Sequence, residues 1–192
     1  MKTVQVSPEQ MQQRLFRWKG AGPIGRHDAF PPALKRDVVA DRIYGVITSN
    51  RPGEDNSNLF DTAPIQSGVQ NFAMSVVSCP PHQGPVLHAH HFTYETFTVF
   101  TGRWKFAWGD HGEHWTVLEK WDTISFPPGV LRRFENLSSR RAYMQVVVYG
   151  EGRVVDDIAM PAHVEEYLVQ RHGRAAIDSM KARGARFTAT IE

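Results

Sequence analysis

The spacing of apolar and polar positions changes twice along the chain, and each change predicts a different kind of element. Near the start, Met11, Leu15 and Trp18 recur at i, i+4 and i+7, the stripe of an amphipathic helix. Ser7 can act as its N-cap, Pro8 suits the first helical position, and Gln10 completes a capping box. The spacing therefore predicts a helix over 7–18 that docks on a core. Gly20, Gly22, Pro23 and Gly25 then break the pattern, and 26–36 reads as irregular, with Pro31-Pro32 favouring an extended path.

From residue 42 the period shortens. Arg42–Thr48 (RIYGVIT) is β-rich and reads as a strand, and so does 69–78, which ends at Pro80-Pro81. Between them, 49–58 is a polar loop with the composition of a disordered segment. Further strands are expected near 86–91, 94–101, 103–109, 114–118, 122–126, 131–136 and 142–149. The turn signals between them are Gly102, Gly109-Asp110, Gly112, Pro127-Pro128-Gly129 and residues 137–139. Short strands at this spacing argue for an all-β barrel or sandwich. Its core is expected to hold Phe106, Trp108, Ile124, Phe126, Phe134 and Val146, Val147 and Val148. After Gly150 helical spacing returns. A helix over 161–173 would carry Val164, Tyr167 and Leu168 on its apolar face, and a second over 175–183 would end at Gly184. With no internal repeat, the chain divides into an N-terminal arm (1–65), a barrel (66–150) and a C-terminal helical extension (151–192).

Composition narrows the function classes. The 192 residues are 41% hydrophobic and 22% charged, as in an ordinary globular domain, with a formal net charge of +2. Basic runs do not exceed Arg132-Arg133 and Arg140-Arg141, which argues against a nucleic-acid partner. The single cysteine, Cys79, cannot form an intramolecular disulfide and reads as a buried, inert thiol. The first ten residues lack an apolar signal-peptide core, and no run approaches the ~20 apolar residues of a membrane helix. The expectation is a cytoplasmic protein with a small-molecule partner and no membrane association.

The chemistry concentrates in residues 84–102, GPVLHAHHFTYETFTVFTG. His88 and His90 stand at i and i+2, so on a strand their imidazoles share a face, and His91 points the other way. Glu95 on the following strand can converge on them. Two histidines and one carboxylate with open positions suit non-haem Fe(II), and equally a catalytic Zn or Mn site. His27, His82, His111, His114, His163 and His172 show no metal-ligand spacing and read as surface or loop residues.

The spacing H-x-H-x4-E-x6-G, ending at Gly102, resembles the first motif of the cupin family, and 121–136 (WDTISFPPGVLRRFEN) resembles the second. The likeness covers about 66–150. In the second motif Pro127-Pro128-Gly129 and Asn136 match. His82 and Trp121 stand where the family usually has glycine, with Gly84 nearby. The resemblance implies a jelly-roll barrel (a double-stranded β-helix) with helical extensions and, commonly, a homodimer that covers an open sheet edge. It also implies a metal held inside by three histidines and one glutamate. Here the position of the fourth ligand holds Arg132. Within the family the first motif looks most like the quercetinase-like cupins, which open a flavonol ring with O2.

Arg132 cannot be an ordinary ligand, because guanidinium has no acceptor lone pair. A one-residue register slip would turn Arg133 and Glu135 inward instead, so the favoured register faces Arg132 and Phe134 to the barrel. A divalent ion about 5 Å from that guanidinium would feel about 7 kcal/mol of repulsion at an effective dielectric of about 20. Arg132 therefore weakens metal binding, replaces the metal opposite Glu95, or binds an anionic substrate. Two functions stand open. One is a metal-dependent, dioxygenase-like oxidoreductase with His88, His90 and Glu95 as ligands and Glu95 as a catalytic group. The other is a metal-free small-molecule binder or regulator with Glu95 and Arg132 paired. A metal-free isomerase using a histidine base is a variant of the second, with Tyr94 the nearest acid partner in sequence.

Overall fold

A computed structural model describes residues 2–24, 30–48, 65–66, 72–151 and 158–190. Three of its strands show the period-two pattern plainly. In β5 (Thr93–Val99) the residues Thr93, Glu95, Phe97 and Val99 are buried and alternate with outward ones. In β9 (Arg132–Asn136), Arg132, Phe134 and Asn136 are buried. In β10 (Ala142–Gly150), Ala142, Met144, Val146 and Val148 are. A single buried face, as in these three strands, is the mark of sheets that cover a core on one side.

The strands β1 (Arg42–Thr48), β2 (Ile65–Gln66), β3 (Phe72–Cys79) and β8 (Thr123–Phe126) join β5 and β10 in a six-stranded sheet of order β2-β1-β3-β10-β5-β8. β6 (Trp104–Trp108) and β7 (His114–Leu118) join β9 in a three-stranded sheet of order β7-β6-β9. Every pairing in these sheets is antiparallel except β1 with β2. A separate pair is formed by β4 (Ala89–His90) and β11 (Ile158–Ala159).

The two larger sheets meet through aromatic side chains. Phe97 lies 5.1 Å from Phe106, 5.4 Å from Phe134 and 6.1 Å from Phe126, ring centre to ring centre. Phe97 and Phe126 come from one sheet, Phe106 and Phe134 from the other. Truncating such a buried ring costs about 3–5 kcal/mol. The architecture is an all-β jelly-roll barrel, a double-stranded β-helix, with short helices at both ends of the chain.

A second apolar cluster sits against β4. Val164, Leu168, Ile177 and Met180 of the C-terminal extension pack with Leu87, Ala89 and Leu131. No helix among the described residues is long and apolar enough to cross a membrane. Cys79 is buried, and burial pushes its thiol up to about 12, as an inert thiol requires.

Several elements depart from the sequence expectation. The first helix, α1 (Pro8–Gln12), forms the capping box between Ser7 and Gln10 but stops after five residues and buries none of them. So short a helix has little stability of its own. The chain reaches the barrel instead through Trp18, whose ring lies 4.7 Å from Tyr44 and 5.5 Å from Tyr143. Where an irregular path was expected, α2 (Pro32–Val38) forms. Pro32 presets its first turn, and Leu34 is buried in the second cluster. The strand expected over 86–91 is regular only at Ala89–His90, extended by a bridge between His88 and Arg132. α3 (Ala162–His172) and α4 (Arg174–Ala182) match expectation, but Tyr167 is 46% exposed. Trp108 and Ile124 pack at the core's margin, and Val147 points away from the barrel interior. The polar loop 49–58 and residues 69–71 lie outside the described residues.

Two backbone positions bear on the family motifs. His82 and Trp121, which the resemblance sets at positions where glycine is expected, are the non-glycine residues with positive φ among the described residues, at 58° and 77°. The left-handed backbone is thus kept while the side chain that penalises it is accepted. Nearby, Gly84 approaches Phe134 so closely that a Cβ would overlap the Phe134 carbonyl oxygen.

Candidate metal centre

His88 and His90 project from β4 and its N-terminal bridge, and Glu95 from β5, into one cavity of about 430 Å³. Nε2 of His88 and Nε2 of His90 each lie 4.0 Å from the same Glu95 oxygen, Oε2. The candidate ligand atoms of the three residues all fall within 4.8 Å of one another. His91 is exposed, as the alternation requires.

The protonation pattern favours ligation. Nδ1 of His88 lies 2.9 Å from the Val86 carbonyl oxygen. A carbonyl only accepts, so Nδ1 carries the proton and Nε2 presents a lone pair to the cavity. Nδ1 of His90 is held at 2.9 Å by the Thr93 hydroxyl. Burial, and then the Arg132 charge, lowers the His88 pKa to about 4 and holds that of His90 well below its ordinary value. Both rings are neutral at pH 7. Two ring nitrogens and a carboxylate therefore converge, an arrangement a divalent cation would satisfy. Donors around a tetrahedral ion with ligand distances near 2.1 Å stand about 3.4 Å apart, so binding needs a modest contraction. The three residues fit a metal.

Arg132 shapes this site from behind. Directly across from His88 in the antiparallel bridge, its side chain takes the same face. It is 1% exposed. Nε and Nη2 donate to Glu95 Oε2 at 3.0 and 2.6 Å, and Nη1 donates to the carbonyls of His88 and Val130 at 3.3 and 3.4 Å. Burial is the largest single influence and works against the Glu95 carboxylate, but Arg132 together with His90 and His88 outweighs it, so the carboxyl is lowered to about 2. The Glu95 oxygen that Arg132 holds, Oε2, is also the one that stands 4.0 Å from both imidazoles.

The cavity wall is mainly apolar, with Val77, Phe97, Val146, Val148, Met160 and Met180 among its residues. It also includes Arg183 and Arg186 from the segment after α4, which the sequence did not single out. Thr93 was missed too, although its period-two relation to Glu95 signalled an inward side chain. A larger cleft of about 630 Å³, lined by Arg36, Arg133, His111 and His163, contains none of the three candidate ligands. Among the remaining histidines, His82, His111 and His114 are exposed, and His27 lies outside the described residues. His172, expected at the surface, has a side chain only 8% exposed, with Nε2 2.7 Å from Asp37. The last turn of α3 faces α2 there, which buries the ring.

No protein-family model and no curated protein matches the sequence. Solved structures do. The chain is similar to a structure described as DMSP lyases RdDddP and RnDddQII, at 16% identity over 61% of this chain, with a TM-score of 0.46. It spans 50% of that chain's length. It is also similar to an uncharacterized conserved protein with a double-stranded β-helix domain from Klebsiella pneumoniae, at 22% identity. That match covers 43% of this chain and 70% of the other, with a TM-score of 0.39. A third likeness is to the Cnp3 cupin domain of Schizosaccharomyces pombe, at 10% identity over 57% and 65% of the two chains, with a TM-score of 0.42. Two of these structures are described as a cupin or double-stranded β-helix domain.

Proposed function

We propose that this protein is a metal-dependent cupin-type oxidoreductase that binds one divalent ion, Fe, Mn or Zn, on His88, His90 and Glu95. It would act with O2 on a small organic substrate. The convergence of two neutral imidazoles on one carboxylate inside an apolar cavity carries this reading. A bound ion with three protein ligands supplies open positions for substrate and O2. The protein's own groups do the rest. Val86 and Thr93 orient the imidazoles, and the apolar wall excludes water. Arg132 holds Glu95 ionised. So low a proton affinity suits Glu95 as a ligand; a role as base requires Arg132 to release it.

In this reading Arg132 stands at the inward position that the family resemblance gives to a fourth histidine. The 2.6 Å contact to Glu95 favours a second reading, in which the guanidinium replaces the ion and the barrel is a metal-free small-molecule binder. The test is metal content per chain for the wild type and Arg132→His, each loaded with Fe(II), Mn(II) or Zn(II) and then challenged with a chelator. Wild type should bind up to one ion and lose it readily, whereas Arg132→His should retain it, having gained a neutral nitrogen ligand and lost a cation. If neither form binds, the metal reading fails and the metal-free binder stands. O2 uptake by the loaded protein with small aromatic compounds checks the oxidative half.

A further inference from the structure

We infer that the barrel cavity selects small apolar molecules carrying an anionic head, a carboxylate or phosphate, and that Arg183 and Arg186 recognise that head. The inference names a ligand class for the cavity assigned above and rests on that cavity being the ligand site.

The cavity has two chemically different parts. Its deep part holds buried His90 and Glu95. Its wall is aliphatic and aromatic, from Val77, Phe97, Val146 and Val148 of the barrel and Met160 and Met180 of the C-terminal extension. Arg183 and Arg186 also line it, and both are exposed residues, which places them at its open end. A volume of about 430 Å³ is that of a small-ligand site. Among the described lining residues Glu95 is the one acid, and its Oε2 is already bonded to Arg132. No carboxylate of the described residues lies within ion-pair distance of Arg183, whose guanidinium carbon stands 5.9 Å over the Phe30 ring. A guanidinium held over an aromatic ring at an apolar mouth is oriented for bidentate recognition of carboxylate or phosphate oxygens.

The placement is built into the backbone. β4, which carries His90, pairs with Ile158 of β11. Two residues on, Met160 N–H donates to the Arg186 carbonyl at 2.9 Å, and the Met160 carbonyl accepts from Ala189 N–H at 3.1 Å. One ladder of hydrogen bonds thus fixes the arginine-bearing segment relative to a candidate metal ligand. A ligand's anionic head can meet the mouth while its apolar body lies against the wall and its far end reaches His88, His90 and Glu95.

The test uses the full chain, both chelator-treated and metal-loaded. Affinities are measured calorimetrically for 3-phenylpropanoate, phenethyl phosphate and the neutral 3-phenylpropanamide. At least one anion should bind about ten- to a hundredfold tighter than the amide, the factor a charge-assisted pair supplies. Arg183→Gln combined with Arg186→Gln should bring the anion down to the amide's affinity, leaving amide binding and metal content unchanged. Equal binding of acid and amide, parallel loss of both in the double variant, or no binding of any probe overturns the inference. Metal content is recorded separately, so failure of the metal reading shows as absent metal with anion selectivity intact.

Discussion

Replacing Arg132 by methionine keeps much of the side-chain stem and removes the cation from Glu95. Four hydrogen bonds go with it: two to Glu95 Oε2 at 3.0 and 2.6 Å, and one each to the carbonyls of His88 and Val130. A buried carboxylate stripped of its partner costs about 3–5 kcal/mol. In a domain of this length that corresponds to a fall in melting temperature of roughly 6–20 °C. The deficit should be repaired by a divalent ion, because the ion now meets His88, His90 and Glu95 without a competing guanidinium. At a free concentration 100-fold above its dissociation constant, the ion returns about 2.7 kcal/mol. The assay is urea unfolding at pH 7 with chelator or with Zn(II) or Mn(II), for wild type, Arg132→Met, and Arg132→Met with Glu95→Leu. The double variant should recover most of the stability, since removing both charges leaves none uncompensated. The reasoning is refuted if Arg132→Met costs less than about 1 kcal/mol, or if the double variant is as unstable as the single. Equal stabilisation of wild type and Arg132→Met by metal would show that Arg132 does not oppose the ion.

Acid should destabilise the metal-free protein in two stages. His88 titrates in the unfolded chain near its ordinary 6.5 but at about 4 when folded, so stability falls as pH drops from 6.5 toward 4. The Glu95 contribution is complete above its ordinary 4.5 and disappears as pH falls through about 2. Urea midpoints measured from pH 8 to pH 2 check both windows, and a flat profile between 6.5 and 4 contradicts the first. At His82, with φ of 58°, glycine should raise unfolding free energy by about 1 kcal/mol. Gly84→Ala should lower it by about 1–3 kcal/mol through its overlap with the Phe134 carbonyl. Denaturant unfolding reads both, and the opposite sign at either position refutes its argument. If the homodimer that the family resemblance implies forms, light scattering at micromolar concentration returns twice the chain mass, and a monomer mass rules it out.

Much of the candidate site was legible along the chain because strand geometry is local. A period of two puts His88 with His90, Thr93 with Glu95 and Phe97, and Arg132 with Phe134 on inward faces, whatever lies opposite. The capping box at Ser7 and Gln10 and the helix ending at Gly173 are likewise short-range statements. Long-range partners are a different matter. Arg132 bonds Glu95 across 37 positions, and His172 reaches Asp37 across 135. Periodicity could turn Arg132 inward but could not choose between Glu95, a substrate and the barrel mouth. It could not bring Arg183 and Arg186 onto the cavity, because their placement depends on the Met160–Arg186 hydrogen bond and on β11 pairing with β4. The length of α1 was misjudged for the same reason. An apolar stripe predicts a helix only if a surface accepts it, and here Trp18 meets Tyr44 and Tyr143 from non-helical chain. Local dihedral and side-chain preferences determined which residues face inward. Packing between segments far apart in sequence, whose contacts leave no local signal, decided what each of them meets.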